Sequence, residues 1–437
     1  MRLAVLPARA SSPLRFGPTT IGQLHRLEVA EVQPVTLAGN RADCRNHRRV
    51  TLRTVIRGST PNWFTVTMGT GAFALALNQI PLSFPAKRDV AGGLWLLDLM
   101  LFLAFAVLHA ARWIFFFDEA RQIFRNSVSS MFLGAIPMGL ATIINGLLVF
   151  ELPLLGVSVV SIAHALWWID VGMAIACSVL VPFLMFTIQD HNMKQMTAVW
   201  LLPVVTAEVA AASGGLLIPH LSTSEALSVL MLSYALLAIS VPLAISILVI
   251  LLLRLALHKL PDNDMAVSGW LALGPIGMGA LGLLLLGGDA SQVFPFAGLS
   301  GVGAVALGLG IIGGAMLWGY GAWWLLLATL KTAYYLRKGM SFDLSWWGFI
   351  FPLGVYSQAT LALARATHVP FLSIVGTILV FCLAALWFIV AVLTVDATRR
   401  GCLFASSRPA KGNARQAPLR GKCARQQVGS ASCVNPH

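Results

Sequence analysis

Charge is scarce in this chain. Only 11% of its 437 residues are charged, against about 25% in soluble domains, which excludes an ordinary water-facing surface over most of its length. The six cysteines include no CxxC spacing, so neither a zinc site nor a redox pair is indicated. Catalytic signatures are missing too: there is no HExxH, no GxSxG and no Walker A loop, and the nine histidines form no i, i+4 pair. The sequence therefore predicts no enzyme, no catalytic residue, no metal and no cofactor. Nucleic-acid binding needs aromatic interleaving or a recognisable fold around the basic residues, and the basic segments have neither.

What is present is apolar. Hydrophobic residues make up 57% of the chain, in recurring spans of roughly 20 residues, long enough to cross a bilayer. The expected fold is an all-α membrane protein. Ten transmembrane helices are placed at 62–82, 92–117, 132–150, 157–188, 196–218, 225–256, 266–287, 300–330, 345–366 and 370–396. The net charge of +13 belongs to the ends. Residues 1–60 hold ten arginines and three acids, residues 397–437 hold eight basic residues and no acid, and the stretch between is close to neutral. The expected organisation is thus a disordered basic extension (1–60), a membrane domain (61–396) and a second disordered basic tail (397–437). The apolar run in MRLAVLPARASS is too short for a signal peptide. Polybasic segments beside a membrane favour the cytoplasmic leaflet. The loops agree under the positive-inside rule: Arg112, Arg121, Arg125, Lys194, Arg254, Lys259, Lys331, Arg337 and Lys338 fall on one side, and only Lys87, Arg88 and Arg365 on the other. Both termini are expected in the cytoplasm, with the chain in the plasma membrane.

One pattern repeats along the membrane region: an aromatic, four residues, proline, one residue, glycine. It occurs as Phe132–Pro137–Gly139, Trp270–Pro275–Gly277 and Trp347–Pro352–Gly354. Trp200 precedes Pro203 without the glycine, and Trp63 precedes Met68, Gly69, Thr70 and Gly71. Every anchor falls on an odd-numbered helix. A proline deep in a membrane helix removes a backbone hydrogen bond, and only a protein interior or a water-filled cavity tolerates that. The repeat therefore predicts five helical hairpins around a central pore, a quasi-five-fold arrangement with the odd helices inside. The predicted breaks are at Gly69, Gly71, Pro137, Gly139, Pro203, Pro275, Gly277, Pro352 and Gly354. On this reading Pro352→Ala straightens the ninth helix and alters flux.

No Lys or Arg lies mid-span in any odd helix. A pathway that must release an anion quickly has no use for a tight cationic site. Partial charges take its place: N–H groups freed at helix breaks and the hydroxyls of Thr67, Thr70, Thr142, Thr206, Ser357 and Thr360. Each hydroxyl has a second reading, a bond back to its own helix. Acids inside a membrane are functional candidates by default. Asp98 and Asp170, on even helices, read as hydrogen-bonding groups between hairpins. Glu208 reads as a proton site facing the pore, or as a group packed against a neighbour. Phe351, directly before Pro352, reads as a ring turned into the lumen or as ordinary core.

At these residues the chain resembles the tellurite-resistance/dicarboxylate transporter family, which includes the plant slow anion channels, fungal malate permeases and fungal sulfite-efflux pumps. The resemblance lies in NWFTVTMGTG (62–71), MFLGAIPMGLATIIN (131–145), ALWWID (165–170), MTAVWLLPVV (196–205), AAASGG (210–215), LRLALHKLP (253–261), LGPIGMGALG (273–282) and WWGFIFPLGVY (346–356). The sulfite-efflux branch is most similar. The resemblance implies ten helices in five hairpins, a homotrimer with one pore per subunit, small anions as substrates and a phenylalanine plug at the position of Phe351. Glu208 departs from the apolar residue expected there. Sulfite or a similar oxyanion is the expected substrate. A C4-dicarboxylate such as malate, proton-coupled through Glu208, is the alternative, and an intramembrane enzyme or scaffold a third reading.

Overall fold

The computed structural model describes residues 51–401 and Leu403. Most of the expected basic extensions therefore lies outside the described residues. The part that is described is ordered. Leu52–Gly58 forms a helix whose N-terminus is capped by the Thr51 side chain, and Arg57 pairs with Glu119 at 2.5 Å. Residues 52–58, placed in the expected basic extension, are thus helical, and Glu119 belongs to the short helix Phe117–Ala120.

The described chain is helical throughout, with no strand among the described residues. Ten principal helices follow in order: α1 (Phe64–Gln79), α2 (Lys87–Phe115), α3 (Ala135–Gly146), α4 (Ser158–Thr187), α5 (Leu202–Leu217), α6 (Thr223–His258), α7 (Leu273–Phe296), α8 (Ser300–Arg337), α9 (Ile350–Thr367) and α10 (Pro370–Arg399). Eight stretches, built on α2 to α8 and α10, are long and apolar enough to cross a membrane. The chain is therefore a multi-pass membrane protein.

Burial sorts the helices into two classes. The apolar windows of α3, α5 and α7 are 72%, 94% and 83% buried, whereas those of α2, α4, α6, α8 and α10 are 33% buried or less. Every residue from Phe64 to Leu77 of α1 and from Ile350 to Ala364 of α9 is buried as well. The even helices present Met100, Phe186, Val249, Leu326 and Phe388 to the outside, an apolar belt suited to lipid. The inner helices touch in a closed order: α1 on α3, α3 on α5, α5 on α7, α7 on α9, and α9 back on α1. Each even helix lies outside, against two neighbours of that ring.

The sequence pattern predicts prolines that interrupt helices. The structure places them elsewhere. Each inner helix is entered through a 3-10 segment: Pro61–Trp63, Ser129–Gly134, Ala198–Leu201, Asn263–Ala272 and Leu344–Phe349. Pro137, Pro203, Pro275 and Pro352 then stand in the first α-helical turn of α3, α5, α7 and α9. There the missing N–H is one of the donors a helix start leaves unpaired, and the fixed φ suits the turn. The break is thus a change of helix type near one end of the bundle. The prolines well inside a helix are Pro182 of α4 and Pro242 of α6, both on outer helices.

Candidate functional site

The inner ring holds every residue singled out by the repeat, and its contacts show which way each one points. On α9, Gly354 packs on Ala72 of α1, Ile350 lies beside Gly69, and Gln358 Nε2 donates to the Ala72 carbonyl at 3.3 Å. The backbone at Val355 and Tyr356 lies against Gly277 of α7. Thr360 accepts from Trp318 of the outer helix α8 at 3.0 Å. With about 100° between successive residues, Phe351 falls in the arc between the α1 side and the α7 side, away from the outer helices. Its ring is 3% exposed.

The glycines of the repeat do a different task from the one expected. A Cβ on Gly277 would stand 2.9 Å from Tyr356 N, one on Gly354 3.0 Å from Ala72, one on Gly69 3.0 Å from the Trp347 ring, and one on Gly139 2.6 Å from Thr67 Oγ1. On Gly71 it would collide with Asp98 and Thr142. These positions allow close approach of neighbouring helices, so they seal the ring and do not open it.

The six candidate hydroxyls do not converge either. Thr67 donates to the Phe64 carbonyl (2.9 Å), Thr70 to Val66 (2.8 Å), Ser357 to Leu353 (2.6 Å) and Thr360 to Tyr356 (2.7 Å). Thr142 Oγ1 lies 2.8 Å from the Gly139 carbonyl and 2.8 Å from Asp98 Oδ2 of α2. Thr206 Oγ1 lies 2.8 Å from the Pro203 carbonyl and 3.1 Å from Ser178 Oγ of α4. Thr70 also accepts from Trp387 of α10 at 3.1 Å. Thr70, Thr142, Thr206 and Thr360 therefore tie inner helices to outer ones. In Thr67, Thr70, Ser357 and Thr360 the proton is drawn to a backbone carbonyl because a helix leaves the i−3 and i−4 carbonyls within reach.

The three buried acids part company. Asp98 is the inter-helix bond expected of it. Glu208 Oε1 lies 2.9 Å from Ser240 Oγ of α6. The residue thus reaches toward an outer helix with Oε1, while its Oε2 has no hydrogen-bond partner. Asp170 was expected to bond between hairpins, yet neither of its oxygens has a hydrogen-bond partner. It sits on the face of α4 bounded by Trp167 and Val171, both buried in apolar surroundings.

Sequence reasoning missed a polar chain at the opposite end of the ring from the 3-10 segments. Arg365 donates to Gln79 Oε1 at 3.0 Å, Gln79 Nε2 to Gln358 Oε1 at 3.3 Å, and Gln358 on to the Ala72 carbonyl. The legible signal was an amide at the C-terminal end of α1, Gln79, and another at the middle of α9, Gln358.

A closed ring of buried helices, sheathed by apolar outer ones and carrying no cationic side chain mid-span, is the architecture of a membrane channel or transporter. The comparison with known proteins agrees. Residues 59–395 match the voltage-dependent anion channel family, and the chain belongs to that family. A sulfite efflux pump of Trichophyton rubrum is 37% identical over 338 residues, covering 77% of this chain and 89% of its own length. An uncharacterized transporter of Methanocaldococcus jannaschii is 28% identical over 360 residues, 80% of this chain and 96% of its own. The malic acid transport protein of Schizosaccharomyces pombe is 20% identical over 345 residues, covering 77% and 78%.

Proposed function

We propose that the chain carries small anions across the plasma membrane, with sulfite efflux as its activity. The observation that carries this reading is the similarity to the fungal sulfite efflux pump over most of both chains. The pathway is the axis of the inner ring, lined by all five odd helices, so the protein has ten spans in five hairpins. Length supports the two shorter spans. The 16 residues of α1 rise about 24 Å and the three residues of its 3-10 lead about 6 Å more, close to the roughly 30 Å of a hydrocarbon core. The 18 residues of α9 and their six-residue lead reach further. Phe351, on the arc of α9 between α1 and α7, plugs the axis. With no Lys or Arg mid-span on the odd helices, the pathway holds the anion weakly, so it also leaves. The end of the bundle with the 3-10 segments is cytoplasmic, both termini lie on that side, and three copies assemble with one pore each, as the resemblance implies.

The dicarboxylate reading rests on the more distant relative. The orientation of Glu208 toward Ser240 argues against a proton-coupled form of it. Liposomes carrying the purified chain and loaded with sulfite, chloride, nitrate or malate test both readings, with and without a pH gradient. Sulfite flux above empty liposomes, uncompeted by malate and unaltered by Glu208→Gln, is the expected result. No anion flux at all would end the proposal, and flux that malate competes away would move it to the dicarboxylates.

A further inference from the structure

Outside the ring, at the end where the inner helices begin, two basic side chains share one narrow cleft of about 10 Å³, room for about one water molecule, which a larger occupant widens by displacing the flexible Lys331 stem. Arg254, near the C-terminal end of α6, is 3% exposed. Lys331, in the last turns of α8, lies with its Nζ against Gly269. The other walls include Thr197, Ser268 and Trp324. No carboxylate lines the cleft, and neither cation belongs to an ion pair among the described residues.

The donors there are also unspent. Arg254 uses Nη1 on the Lys259 carbonyl at 2.7 Å and Nη2 on the Lys194 carbonyl, which leaves Nε without a partner. Trp324, 2% exposed, has no partner for Nε1. The Thr197 hydroxyl accepts from Val199 N at 3.4 Å, which leaves its proton free to donate. A buried guanidinium beside a second cation, with no carboxylate lining the same cleft, is costly to keep in a protein interior. Adding an acceptor with several negative oxygens corrects the charge and the orphan donors together.

We propose that this cleft is an oxyanion-binding site, separate from the transport pathway, that takes a phosphate-, sulfate- or sulfite-like group. The oxyanion is either free or the headgroup phosphate of a lipid, since the two present the same chemistry to Arg254, Lys331, Trp324 and Thr197. Its position gives it a task. Thr197 caps the 3-10 segment leading into α5, and Ser268 and Gly269 belong to the ten-residue segment leading into α7. An anion held here bridges the leads of two neighbouring inner helices to the outer helices α6 and α8. It fixes the end of the ring without standing in the path that Phe351 faces.

The test uses the purified full-length chain in detergent, with sodium phosphate, sodium sulfite or sodium chloride at matched ionic strength, and nanodiscs with or without anionic lipid. Thermal unfolding and calorimetric titration are read together. Phosphate or sulfite should bind saturably and raise the unfolding temperature where chloride does not. Lys331→Met should weaken that binding at least tenfold while the anion-free protein stays as stable or becomes more so, because an unpaired buried charge is gone. Gly269→Ala, whose Cβ meets Lys331 Nζ, should weaken binding with the charge retained. If only anionic nanodiscs give a Lys331-dependent shift, the occupant is a lipid phosphate. Equal shifts in wild type and Lys331→Met, or no shift with any probe, overturn the site.

Discussion

Phe351 is one of 23 phenylalanines, and its own chemistry does not set it apart. Its place beside Pro352 could be read from the sequence, but its direction could not. Direction depends on which neighbours occupy the other faces of α9, and those are set by Gly69, Ala72 and Gly277 from distant parts of the chain. The same lack of partner information explains Glu208. An acid on an inner helix looks pore-facing until Ser240 of α6 claims it. Asp98 meets the expectation through Thr142 of α3, whereas Asp170, also a buried acid on an outer helix, finds no partner. At this scale the proposed plug makes one prediction. Phe351→Ala should raise anion current at unchanged expression, and a steric barrier of about 1.4 kcal/mol would correspond to roughly tenfold. Equal currents from mutant and wild type in patch or liposome recordings would remove the ring from the gate.

Among the elements, the aromatic–proline–glycine repeat falls at the starts of helices that the structure buries, where its residues do a different task from the one the pattern suggests. Proline was read as a defect because one assumes it lies mid-helix. The 3-10 lead that turns it into a first-turn residue has no sequence signature as strong as the proline itself. The expectation for Pro352→Ala changes with that. Restoring an N–H in the first turn should shift stability by under about 1 kcal/mol and leave flux near wild type. Gly277→Val should be the damaging change, because the obstructing atoms are Tyr356 N and Cα and backbone cannot rotate aside. Overpacking of this kind costs about 1–3 kcal/mol. Thermal unfolding of both variants in detergent checks the order, and a larger loss in Pro352→Ala would reverse the roles given to the two residues.

At the scale of the molecule, eight of the ten expected spans form helices long and apolar enough to cross a membrane; α1 and α9 are the two that do not. They are short, and α9 carries Ser357, Gln358, Thr360 and Arg365, which only a protein environment accepts. Most of the basic ends lies outside the described residues. Removing residues 1–50 and 404–437, while keeping the helix Leu52–Gly58 and its Arg57–Glu119 pair, should leave assembly and anion flux unchanged. Loss of flux in liposomes with a normal gel-filtration profile would assign the ends a direct part in transport. The bonds between Thr70 and Trp387, Thr142 and Asp98, Thr206 and Ser178, and Thr360 and Trp318 have a mechanical consequence. They rivet helices of the ring to helices that touch lipid. A tilt of one of those inner helices drags its riveted partner through the acyl chains, so bilayer thickness and tension load any backbone motion of the ring. A rotation of the Phe351 side chain alone carries no such load.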